Sequence, residues 1–119
     1  MPAGFLTAVR LGRAVFVGVV VLSLVVLFTP ARDVPGAPPG VDKLVHAVLF
    51  LGLAATGRWA GLRPAALGAA LVVYAAGSEV LQGLPAVGRT TSVADWVADV
   101  VGLLTGLALW AGLAGRARR

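Results

Sequence analysis

Residues 92–106 read SVADWVADVVGLLTG, and their spacing decides what kind of fold the chain can adopt. Ser92, Asp95, Asp99, Gly102 and Gly106 recur every three or four positions, the interval that places side chains on one face of an α-helix. The residues between them are almost all Val, Leu and Ala. Such a helix suits a bilayer, with its polar stripe turned toward another helix. Small residues let two helix backbones approach closely. A charged group facing lipid at the bilayer centre costs roughly 2.5–3.5 kcal/mol by insertion scales. The stripe that packs this helix therefore points Asp95 and Asp99 toward the interior of a bundle.

Composition agrees. Hydrophobic residues make up 59% of the 119, charged residues 13%, and mean hydropathy is +0.94, leaving too little polar surface for a water-soluble domain. The length suits a single domain over residues 1–119. With no cysteine, disulfides, thiolate metal sites and S-lipidation are excluded. The net charge of +5 does not point to nucleic acid, because the basic residues are scattered at the ends of apolar runs, where membrane topology places them.

Working outward, four apolar runs approach the ~20 residues that a spanning helix needs. They are Ala14 to Phe28, preceded by Arg10 and Arg13; Val41 to Gly57; Pro64 to Gly83, with the proline suited to a first turn; and Ser92 to Gly115. The first run is read as a retained helix rather than a cleaved signal, being long and followed by no A-x-A site. The fold expected is all-α, an integral membrane bundle of four transmembrane helices. Placing both termini in the cytoplasm puts Arg10, Arg13, Arg58, Arg63, Arg116, Arg118 and Arg119 inside, and only Arg32, Lys43 and Arg89 outside. All five acids, Asp33 included, then lie toward the outer leaflet.

Three helices and one loop thus bring polar groups to one end: Asp42, Lys43 and His46 from the second, Glu79 and Gln82 from the third, Arg89 from the loop, and Ser92, Asp95 and Asp99 from the fourth. Some have plain structural roles open to them. Asp42 and the Ser92-x-x-Asp95 pair fit helix caps, Lys43 marks an interface, His46 is a packing histidine, Gln82 covers carbonyls at its helix end, and Tyr74 and Ser78 extend the network or pack. Glu79 and Asp99 resist such readings. Glu79 sits where the helix dipole disfavours an anion, so it should be paired or protonated, with Arg89, Lys43 or His46 as partner. Asp99 lies about 10 Å deeper than Ser92, at ~1.5 Å per residue, too deep for a cap.

The run Asp42-Lys43-x-x-His46-x-x-x-Phe50-x-Gly52, then Glu79-x-x-Gln82, then Gly88-Arg89-x-x-Ser92-x-x-Asp95-x-x-x-Asp99-x-x-Gly102-x-x-x-Gly106 resembles the VanZ-like family of small bacterial membrane proteins. The match covers residues 41–110. It implies a multi-pass helical protein of the bacterial plasma membrane, linked through the founding member to low-level resistance to the glycopeptide teicoplanin. One position departs: the family pattern usually has Asn where this chain has Asp99. A protonated Asp99 donates and accepts one hydrogen bond much as an amide does.

Three functions are compatible with these residues. The leading one is an envelope protein that binds an anionic lipid or lipid-linked precursor headgroup, with Lys43 and Arg89 on the anion and Glu79, Gln82 and Asp95 orienting them. The ligand-binding set is then Asp42, Lys43, His46, Glu79, Gln82, Arg89, Ser92, Asp95 and Asp99, with membrane lipids as partners and no cofactor or metal. The second is a membrane-embedded hydrolase or transferase acting on a lipid, with His46 or Glu79 as acid or base, or with Asp42, His46, Glu79, Asp95 and Asp99 around a divalent metal. The third is a proton-coupled transporter subunit, a homo-oligomer because four short helices enclose little pathway alone. The chain has no H-E-x-x-H, G-x-S-x-G or Walker motif.

Overall fold

A computed structural model describes residues 2–29, 36, 38, 40–88 and 92–119. It contains four α-helices: α1 (Ala3–Phe28), α2 (Val41–Trp59), α3 (Pro64–Gln82) and α4 (Val93–Ala117). The last three lie close to their expected bounds. The first does not, because α1 begins at Ala3 rather than Ala14. Arg10 and Arg13 marked the start of the apolar run but do not interrupt the helix, since a long cationic side chain carries its charge away from the helix axis. The Arg13 Nε donates to the carbonyl of Ala60 at 3.5 Å, tying α1 to the exposed carbonyl end of α2.

Local sequence explains the other boundaries. Pro64 occupies the first turn of α3, where its missing N–H costs nothing. Gly40 precedes α2 at φ 87°, a left-handed value, and offers no side-chain cap. Asp42 is therefore not the cap of α2. It lies in the first turn, where the helix dipole favours an anion. At α4 the expected cap is present: Ser92 is the N-cap and its Oγ accepts from the Asp95 N–H at 3.4 Å.

Packing centres on α2, which meets α4 most extensively and also packs on α1, while α3 lies mainly against α4. The closeness of α2 and α4 depends on glycine. A Cβ at Gly102 would overlap the carbonyl oxygen of Ala47, and one at Gly106 would stand 2.5 Å from the carbonyl oxygen of Leu51. The apolar core between the helices contains Leu27, Leu49, Phe50, Leu53, Ala54, Leu67, Leu71, Ala75 and Leu103. Phe50 packs its ring against Tyr74 with centroids 5.6 Å apart.

Polar side chains are buried while apolar ones cover the outside. Ser23, His46, Ser78, Glu79, Gln82, Asp95 and Asp99 are buried, whereas Val73, Val80 and Val93 are 71%, 67% and 78% exposed. That inversion is consistent with a membrane protein, since a hydrocarbon solvent reverses the usual preference. By length and composition, α1, α3 and α4 are apolar enough to cross a membrane. The helix α2 matches α3 in length, at 19 residues, yet holds Asp42, Lys43 and Arg58.

Candidate functional site

The start of α2, the end of α3 and the start of α4 meet at one end of the bundle. This follows from chain direction. Antiparallel α2 and α3 bring Glu79 back to the level of Asp42, and the connection after Gln82 returns the chain so that α4 begins there too. One side chain per turn then faces the shared axis.

The innermost contact is between His46 and Asp99. His46 Nδ1 and Asp99 Oδ1 are 2.7 Å apart, and both residues are buried. The other ring nitrogen, Nε2, lies 3.9 Å from Asp42 Oδ1, one turn back on the same helix. A carboxylate only accepts, so with Asp99 ionised the proton of the pair sits on Nδ1, while Nε2 is the ring nitrogen on the Asp42 side. Toward the helix ends, Lys43 Nζ donates to Asp95 Oδ1 at 3.1 Å; the lysine side chain is 51% exposed and the aspartate 9%. Lys43 thus does more than mark an interface. One of its donors holds Asp95, and the side chain stays half exposed.

Ser92 joins α3 to α4. Its N–H donates to Glu79 Oε2 at 3.1 Å while its Oγ caps α4. Of the partners expected for Glu79, Lys43 pairs with Asp95 and His46 bonds to Asp99, although one ligand atom each from His46, Glu79 and Asp99 lie within 4.8 Å of one another. Arg89, the third expected partner, lies outside the described residues, as do Arg32 and Asp33.

Three further polar residues find their partners elsewhere. Gln82 does cover a helix-end carbonyl, but that of α1: its Nε2 donates to the Leu27 carbonyl at 2.8 Å. Tyr74 bonds to α1, its hydroxyl 2.8 Å from the Ser23 Oγ. Ser78 bonds back to the Ala75 carbonyl at 2.9 Å and does not extend the network. Gln82 and Tyr74 therefore fix α1 to α3.

One residue escaped the sequence reading. Trp96 lies one turn beyond Ser92, and with Ala76, Glu79, Ser92 and Val93 it lines a cleft of about 240 Å³ between α3 and α4. Its indole N–H is buried with no acceptor among the described residues. The spacing from Ser92 was a usable signal, but an aromatic residue in an apolar helix reads first as packing. A second buried polar atom without a hydrogen-bond partner among the described residues is Asp99 Oδ2.

No protein-family model matches this chain, and no curated protein and no solved structure proved similar to it.

Proposed function

We propose that this is a VanZ-like multi-pass protein of the bacterial plasma membrane that binds the headgroup of an anionic lipid or lipid-linked envelope precursor. In this reading all four helices cross the bilayer with both termini cytoplasmic, so that the acid-lined end faces the outer leaflet and influences glycopeptide susceptibility. The observation that carries it is the cleft beside Glu79. It places a donor without an acceptor, the Trp96 indole, next to a carboxylate anchored by Ser92, and an oxygen-rich headgroup supplies the missing acceptor. Lys43, held by Asp95 and half exposed, is the cation assigned to the phosphate in this reading, with Arg89, three residues before Ser92 in the sequence, as the second. Gln82, engaged with α1, is a structural support in this scheme rather than a headgroup ligand.

Native mass spectrometry on protein released from nanodiscs tests this. Phosphatidylglycerol should be retained in preference to phosphatidylcholine, and Trp96→Phe and Lys43→Gln should each reduce that preference. Equal retention of the two lipids by the unaltered protein overturns the reading.

The His46–Asp99 contact favours a second reading. A carboxylate that fixes the imidazole tautomer leaves Nε2 as a base, which suits hydrolysis of a lipid ester or phosphate. Release of a water-soluble headgroup from proteoliposomes, abolished by His46→Gln, would establish it.

A further inference from the structure

We propose that His46, Glu79 and Asp99 bind a divalent transition-metal ion of the zinc class. This departs from the sequence reading of the leading function, which assigned no metal. All three residues are buried, and one potential ligand atom from each lies within 4.8 Å of the others. Two ligands on one zinc, each at about 2.0–2.2 Å, stand no more than about 4.4 Å apart. Closing the set requires the three groups to draw together from the 4.8 Å bound to within that limit. The His46 Nδ1 to Asp99 Oδ1 separation is 2.7 Å, a hydrogen bond that must open to about 3.3 Å when a tetrahedral ion at about 2.0–2.1 Å replaces the shared proton.

An independent observation points to a ligand here. Asp99 is fully buried, and its Oδ2 has no hydrogen-bond partner among the described residues. An unsatisfied carboxylate oxygen in an apolar interior is costly, and a cation is one of the few groups that removes the cost. Charge supports the same conclusion. A neutral imidazole, two carboxylates and a dication sum to zero, the state that an apolar environment favours. The imidazole nitrogen selects zinc and its first-row neighbours over calcium and magnesium, which take oxygen. With the metal on Nδ1, the proton moves to Nε2, which faces the Asp42 carboxylate at 3.9 Å. Carboxylates on the far side of a ligating imidazole are the usual second support of such sites.

Asp42, His46 and Asp95 form another group of suitable spacing that shares His46. It is the weaker site, because Asp42 is exposed and Asp95 is engaged by Lys43.

The site stands whether or not a headgroup enters the cleft, so the test uses detergent-solubilised protein without a histidine tag and without added lipid. After stripping with EDTA and reloading with zinc, one zinc per protomer should remain through desalting. The melting temperature should rise with zinc and fall again with EDTA. Glu79→Gln and Asp99→Asn should each weaken zinc binding tenfold or more, on the order of what loss of even a supporting residue costs, whereas Asp95→Asn should keep the unaltered affinity. Cobalt bound to the unaltered protein gives a visible spectrum distinct from aqueous cobalt, a readout that survives if a variant fails to fold. Zinc well below one per protomer, an aqueous-type cobalt spectrum, or affinity lost in Asp95→Asn but kept in Glu79→Gln overturns the proposal.

Discussion

Gly102→Ala should destabilise the bundle although alanine is the better helix former. A Cβ at residue 102 would overlap the Ala47 carbonyl oxygen and stand 2.8 Å from the Ala47 carbonyl carbon and 2.9 Å from its Cα. Ordinary carbon contacts lie at about 3.5–4.0 Å, so α4 and α2 must separate by roughly an ångström. The obstruction is helix backbone and cannot rotate away. Overpacking of this kind costs about 1–3 kcal/mol, against a gain of about 0.5–1 kcal/mol from replacing a helical glycine; because the obstruction here is backbone, the upper part of the first range applies, which leaves a net loss on the order of 1–2.5 kcal/mol. Gly112 supplies the control: it lies in the same helix with nothing within 4 Å of its would-be Cβ. Gly112→Ala should therefore be neutral or stabilising. Unfolding in mixed micelles, titrated with dodecyl sulfate and followed by tryptophan fluorescence, measures both. The reasoning is refuted if Gly102→Ala is as stable as the unaltered protein or as Gly112→Ala.

Asp99→Leu removes the acceptor for His46 and leaves a buried imidazole N–H unpaired, so stability in detergent should fall by about 1–3 kcal/mol; Asp99→Asn keeps an acceptor and should lose clearly less, as the same dodecyl sulfate titration will show. Ser92→Ala deletes the cap of α4 and should cost about 0.5–2 kcal/mol, measurable as an earlier unfolding midpoint. Reporter fusions after Gly61 and after Arg119 should read cytoplasmic and one after Gly36 extracytoplasmic; a cytoplasmic Gly36 would put the acid-lined end on the wrong side for an outer-leaflet headgroup.

The sequence by itself determined the elements. Hydrophobic runs broken by Pro64 and by the Pro/Gly-rich stretch after Phe28 mark the four helices, and the Ser92-to-Gly106 periodicity already identifies the packed face of α4, because a helix has one period and lipid tolerates few polar groups. For the same reason Asp95 and Asp99 were recognisable as inward-facing. The start of α1 was not legible, since hydropathy reports where charge begins and not where hydrogen bonding stops; Arg10 and Arg13 are helical all the same. Pairing was not legible either. Lys43, His46 and Arg89 all had the charge to meet an acid, and only the lateral placement of α2 against α4 gave Lys43 to Asp95 and His46 to Asp99. Gln82 shows the limit most clearly: its partner is a backbone carbonyl at Leu27, 55 residues away, a group every residue possesses and no side-chain pattern can single out. A period along one helix fixes which face is buried, whereas the rotation and offset between helices, set here by the closeness that Gly102 and Gly106 permit, fix which polar atoms meet.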